Sequence, residues 1–268
     1  MKMSNKYAEI SKVKIRTLNK NGRTILDDVY VTSPFKIAHP FYKSDDFIKV
    51  IVMSSSAGTM DGDVQEYDIT LGDNTKMELT SQSFEKIHTM IDDEATRDCS
   101  IYVGKNSFFR YNLLPTIPFK DSAFKSNINI KLEDSSSKLI FMDIINCGRV
   151  AYGEKFKYKY YKSYVDVECS NKLIYVDNTN YNPENMDIEN FGMYEGYTHF
   201  ANMVIVNFSK DSNILKYIID IINNCDEVEG GASLTQNDDI SIKMFGYNSD
   251  KLMQVSDKIS EYLINLDL

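Results

Sequence analysis

This sequence predicts a mainly β fold: stacked hairpin units forming a helix-like β body, with a small α/β element at the C-terminal end. Three observations predict it. Apolar and polar residues alternate with a period of two through most of the first two-thirds of the chain. A strand–turn–strand pattern recurs, its turns starting at Gly72, Gly104, Glu133 and Ser170, so that the spacings are 32, 29 and 37 residues. After Asp211 two segments place their apolar residues three or four apart, which is the helical spacing.

The first element is a hairpin from Val13 to Val31, whose strands alternate on both sides of Asn21-Gly22, the strongest short turn signal. The repeated units then run Tyr67 to Thr80, Ser100 to Asn112, Ile128 to Met142 and Tyr164 to Val176. A lone hairpin cannot bury its apolar face, so units at this spacing are expected to stack on one another. Pro115 and Pro118 lack backbone donors and should mark an edge or an exit from the sheet.

The C-terminal segment reads as βαββα: a strand at Ala201 to Phe208, then a helix capped by Asp211 with Ile214, Ile218, Ile221, Ile222 and Cys225 as its stripe. Gly230-Gly231 follows, then a hairpin through Asn237-Asp238-Asp239. A final helix from about Asp250 carries Leu252, Val255, Ile259, Leu263 and Leu266 on one face. Residues 1–200 are therefore expected to form the β body and residues 201–268 an α/β element packed on it.

Composition excludes several function classes. The 268 residues carry 39 acidic and 30 basic side chains, a formal charge of -9, which disfavours nucleic acid as a partner and suits proteins or cations. The opening MKMSNKYAEI lacks the apolar centre of a signal peptide, and no run reaches membrane-spanning length. Cys99, Cys147, Cys169 and Cys225 are scattered without a CxxC pair, as in reduced cytoplasmic proteins, so a cytoplasmic location is expected. Gly148 to Lys162 is basic and Leu173 to Ser209 has no Lys or Arg, so the two could form complementary patches.

No phosphate-binding glycine motif is present, and Ser54 to Gly58 lacks the lysine such a loop needs. His39, His88 and His199 are far apart, without the spacing of a metal cage, and read as ordinary hydrogen-bonded side chains. The carboxylates are more informative. Leu139, Phe141, Asp143 and Ile145 share one face of an apolar strand, so Asp143 needs a partner or a cation. Asp177 ends the strand LIYVD, and Asp61 and Asp63 flank a glycine turn. Hard oxygen ligands such as these can pass a divalent cation along weakly. Equally, Asp143 can satisfy backbone or arginine groups, and the Asp61–Asp63 segment can be a plain turn. Arg149 and Glu154 are expected to pair across a glycine-marked bend.

In order along the chain, PFKIAHPFY, SSSAGTMDGD, LTSQSFEKIH, LLPTIPF, FMDIINCGRVAYGE, IYVDNT and GYTHF resemble segments of the UreD/UreH urease accessory proteins, closest to the UreH variant. Gly62-Asp63, Thr80-Ser81-Gln82 with Lys86, Ile117-Pro118-Phe119, Gly148-Arg149 and Gly153-Glu154 match the family's recurring positions. The resemblance implies a non-catalytic urease maturation scaffold that docks apo-urease and binds a UreF-type partner, which recruits the UreG GTPase. It implies no tightly bound cofactor, with nickel in transit along acidic residues: Asp63, Asp143, Asp177 and, more weakly, Glu154. Family members often carry a glycine-rich SPGGG-type loop where this chain has Ser55-Ser56-Ala57-Gly58, a departure that bears on loop conformation. A carboxylate-dependent β-solenoid hydrolase using Asp61 and Asp63 is the alternative, against which stands the absence of Trp platforms and of any anchored triad.

Overall fold

Asn21 and Gly22 take φ of 55° and 83°, the left-handed pair that a tight two-residue turn requires. They join β1 (Ser11–Lys20) to β2 (Arg23–Val31) in the predicted antiparallel hairpin. The computed structural model describes residues 10–209 and 211–268, so all but the last residue of the opening MKMSNKYAEI lies outside the described residues.

After β2 come β3 (Phe35–Ile37), β4 (Phe41–Ser44), β5 (Phe47–Ser54), β6 (Val64–Leu71), β7 (Lys76–Ser81) and β8 (Glu85–Ile87). Then follow β9 (Ala95–Val103), β10 (Phe108–Asn112), β11 (Thr116–Pro118), β12 (Ala123–Leu132) and β13 (Lys138–Asn146). The chain continues through β14 (Tyr160–Cys169), β15 (Lys172–Tyr181) and β16 (His199–Val206). Helix α1 (Ser212–Asn223), β17 (Val228–Leu234), β18 (Ile240–Gly246) and helix α2 (Ser249–Asp267) complete it.

The fold is mainly β and helix-like, as predicted, but three of the four repeated units are not hairpins. β6 and β7 do not pair with each other: β6 lies in one sheet, ordered β15-β14-β12-β9-β6-β1-β2, and β7 in the other, ordered β17-β18-β16-β13-β10-β7-β5-β3. The same holds for β9 with β10 and for β12 with β13. Each unit is an arch that crosses between sheets, and successive arches stack in parallel. Only the fourth unit, β14 with β15, is an antiparallel hairpin, closing the end of the first sheet. Alternation reports which face a strand buries and is blind to whether its neighbour in sequence pairs with it or faces it.

The arches have a local cause. Thr75, Ser107 and Ser137 stand at equivalent corners and are fully or almost fully buried. Ser107 Oγ donates to the Gly72 carbonyl at 2.8 Å and Ser137 Oγ to that of Gly104 at 2.9 Å. The Thr75 amide donates in turn to Ser107 Oγ at 3.0 Å. These hydroxyls satisfy turn groups that a hairpin would have paired across its ladder. Gly104 is required where it stands, because a Cβ there would lie 2.6 Å from Asp73 Oδ1 and 2.9 Å from the Leu71 carbonyl oxygen.

The inward faces of the two sheets enclose one apolar core, with Ile69, Ile101, Ile130 and Val167 opposite Leu79, Phe109, Phe141 and Val204. Burying a side chain of this size contributes about 1.5–3 kcal/mol. The predicted βαββα order is present, and its three strands extend the second sheet through β16, which pairs antiparallel with β13. Both helices lie on the outer face of that sheet. Ile214, Ile218 and Ile222 of α1 and Leu252, Val255, Ile259 and Leu263 of α2 are buried against it. Ile221 is only partly buried, Cys225, expected in the stripe of α1, lies beyond its end at Asn223, and Leu266, expected on the buried face, is half exposed near the end of the chain. Asp211 caps α1 as expected, accepting from the Asn213 amide at 2.9 Å. Gly230 and Gly231 belong to β17 and do not precede it; a Cβ on Gly230 would lie 2.5 Å from the Lys243 carbonyl oxygen of β18. Among the described residues no helix is long and apolar enough to cross a membrane.

A candidate polar path through the core

Parallel register turns one residue per strand into a row that runs along the stack. In the first sheet Gln65 pairs with Arg97, Arg97 with Ser126, Ser126 with Ser163, and Ser163 with Thr179. Every member of this row is polar, and the first four are buried. It spans four inter-strand steps, about 19 Å. In the second sheet Asp143 pairs with Asn202 and Asn202 with Lys243. Apolar core lies on one side of the two rows; on the other lies an aromatic cluster that includes Phe124, Tyr161 and Tyr194.

Asp143 and Asp177, two of the four acids singled out from the sequence, line one cavity here. Its other walls are Tyr161, Ser163 and Val165 of β14, Thr179 of β15, and Ile145, Phe200 and Asn202 of the second sheet. The cavity measures about 10 Å³, close to the room one water molecule needs. The Tyr161 hydroxyl donates to Asp143 Oδ2 at 3.3 Å. Lys243 Nζ donates to Asp177 Oδ1 at 2.5 Å, and Thr179 Oγ1 donates to Asp177 Oδ2 at 3.0 Å. Tyr175 holds Asn202 through its hydroxyl at 3.1 Å. Ser163 Oγ, only 4% exposed as a residue, has no hydrogen-bond partner, so the cavity wall offers a polar group to a guest.

Burial pushes the Asp143 carboxyl up from its ordinary value. The Arg97 charge and the Tyr161 hydroxyl offset only part of this, and the negative charge of Asp177 adds to the rise. Arg97 stands further along the row, buried and immobilised: Nε donates to Gln65 Oε1 and Nη2 to Glu85 Oε2, both at 2.8 Å, while Tyr67 and Phe124 rings flank it. The interior row is therefore polarised, with a fixed cation near the β6 end, paired with Glu85, and Asp143 and Asp177 toward the β15–β18 end.

Asp63 and Glu154 lie apart from this cavity, each committed to local structure. Asp63 closes its own turn, accepting from the Met60 amide at 2.7 Å. Its neighbour Asp61 accepts from the amides of Ile91, Asp92 and Asp93 at 3.0, 3.2 and 3.1 Å. Burial acts against the Asp61 charge, but these three donors leave its carboxyl below the ordinary range. Glu154 forms the expected corner with Arg149, which donates from Nε at 2.7 Å and from Nη2 at 2.5 Å. The guanidinium also covers the Phe119 ring at 3.9 Å. Gly148 permits this bend: at φ 119°, a Cβ would fall 2.3 Å from the Glu154 carbonyl oxygen.

The basic and acidic stretches meet at the surface, where Lys155 pairs with Glu189, whose side chain is half exposed. His199 is buried, hydrogen-bonded to Asn146 and Thr198, and burial lowers its pKa to about 4. Among the described residues no three His, Cys, Asp or Glu side chains converge as a metal cage would. Sequence reading missed Gln65, Arg97, Ser126, Ser163, Thr179, Asn202 and Lys243. A usable signal existed: Gln65, Arg97, Ser126 and Ser163 are separated by 32, 29 and 37 residues, the spacings of the turns themselves.

Together these features define a β-helical protein with ionisable groups in its interior and a C-terminal α/β segment that extends the second sheet and covers its outer face. The chain belongs to the UreD family of urease accessory proteins: the family model described as UreD urease accessory protein matches residues 10–266. It is 37% identical over 257 residues to the urease accessory protein UreH of Helicobacter pylori, covering 96% of each chain. It is 34% identical to the urease accessory protein UreD of Acetivibrio thermocellus, covering 94% of this chain and 97% of that one. The UreD of Actinobacillus pleuropneumoniae is more distant, 28% identical over 254 residues.

Proposed function

We propose that this chain is a non-catalytic scaffold for urease maturation, which docks apo-urease, binds a UreF-type partner that recruits the UreG GTPase, and conveys nickel through its interior. The urease accessory names of its relatives support the maturation role. The observation that carries the conduit is the meeting of Asp143 and Asp177 at one water-sized cavity between the sheets. Oxygen donors in this number suit a divalent cation held weakly and released, and nickel here is cargo. Asp63 and Glu154 are proposed to act at most outside the cavity, since their carboxylates already hold a turn and a corner.

The hydrolase reading requires Asp61 and Asp63 as a free acid–base pair. Both are occupied by backbone donors, and Asp61 sits below the ordinary carboxyl range, the wrong direction for a general acid. A scaffold that needs its partner should be poorly soluble alone and soluble in complex. Expression with and without the UreF-type partner, followed by size-exclusion chromatography, checks this. A fully soluble monomer that ignores the partner would count against the proposal.

A further inference from the structure

A divalent cation moving through a protein meets two opposed demands: enough negative charge to leave water, and too little to be trapped. The two carboxylates around this cavity would hold a cation firmly if both faced it uncompensated. Lys243 prevents that. Its Nζ lies 2.5 Å from Asp177 Oδ1, and its strand position is in register with Asn202 and, beyond it, Asp143. The pair is asymmetric in exposure: the side chain of Lys243 is 51% exposed and that of Asp177 10%. The carboxylate is fixed in the wall, and the ammonium reaches it from the solvent side on a flexible four-carbon stem.

We infer that Lys243 is a displaceable plug, a resident cation that occupies the charge position of Asp177 until a divalent ion in transit replaces it. This rests on the conduit reading above. The contrast with Arg97 supports it: Arg97 is 5% exposed and anchored by Gln65 and Glu85, so it cannot leave, whereas Lys243 can swing into water at little cost. Cavity size supports it too, because about 10 Å³ accommodates one water-sized guest and not a hydrated ion. The unpartnered Ser163 Oγ, on the first-sheet wall beside Asp177, supplies a further oxygen once the guest is inside. Displacement couples loading to release: the ammonium is ready to return to Asp177 and expel the ion.

The test uses the complex with the UreF-type partner, nickel alone as probe, and the variants K243M and K243R. K243M keeps the stem and removes the charge, so nickel retention in equilibrium dialysis should tighten by about tenfold, the effect of losing one neighbouring like charge. Urease activation should slow at the same time because release is impaired. K243R keeps the charge, so its nickel retention should stay at the parental level. Co-elution with the partner verifies that each variant is folded. If K243M leaves retention and activation unchanged while D143A/D177A abolishes activation, the plug is wrong and the conduit stands. If D143A/D177A also leaves activation unchanged, the conduit fails and takes the plug with it.

Discussion

Replacing Asp143 and Asp177 together by Ala should lower nickel-dependent activation of urease by at least about 100-fold while the complex with the proposed UreF-type partner still forms. The magnitude follows from electrostatics. A divalent ion in a low-dielectric interior without counter-charge costs several kcal/mol, and each ~1.4 kcal/mol is a factor of ten. The persistence of the complex follows from the surroundings. Asp143 accepts from the Tyr161 hydroxyl, so Ala there costs a neutral donor one hydrogen bond. The Lys243 ammonium released by loss of Asp177 is half exposed and finds water. Activation rates of urease with the double variant, beside co-purification of the partner, decide the matter. Unchanged activation would remove these acids from any path; loss of the complex would make their role structural.

Glu78→Ala should destabilise the fold by about 3–5 kcal/mol, the cost of breaking a buried ion cluster from one side. Glu78 is 1% exposed on the outer face of the second sheet. It receives Lys43 at 2.5 Å, Lys49 at 3.2 Å and Arg110 at 3.5 Å. Arg110 in turn binds Asp257 of α2 at 2.5 Å, so the cluster ties the C-terminal helix to β10. Burial alone would raise the Glu78 carboxyl, but Arg110, Lys43 and Lys49 more than offset it and its pKa lies below the ordinary 4.5. Because the folded value is depressed, this contribution is present above the ordinary value and is lost as pH falls through the folded one. Thermal melting of the partner complex should show a drop of about 6–15 °C for the variant at neutral pH. The gap between variant and parent should narrow as the medium is acidified. A melting point unchanged at neutral pH would mean the three cations are adequately solvated without Glu78.

Period and turn chemistry carried much of the fold into view. Asn21-Gly22 marked a true hairpin, and the stripes of α1 and α2 marked their buried faces, except that Ile221 is partly buried, Cys225 lies beyond α1 and Leu266 is half exposed. The arches were not legible because Tyr67 to Thr80 alternates in the same way whether it folds back on itself or crosses to a facing sheet. What distinguishes the two is the company of Thr75, Ser107 and Ser137, residues about thirty apart whose hydroxyls stack only once the coils exist. The site was half visible for a related reason. Asp143 stood out because a carboxylate in an apolar strand needs explaining, and Asp177 because it ended the next one. Their meeting depends on β13 and β15 facing each other across the core. Lys243 gave no local signal, since a lysine on a C-terminal strand is ordinary until Asp177 is found against it.

The central claim is that urease needs this chain to acquire its nickel. The direct measurement is the nickel content and activity of urease from a host carrying the structural and accessory genes, with and without the gene for this chain. Nickel-poor, inactive urease in its absence, restored when the chain is supplied, is the predicted result. Fully active urease with its full complement of nickel in the absence of the chain would contradict the account.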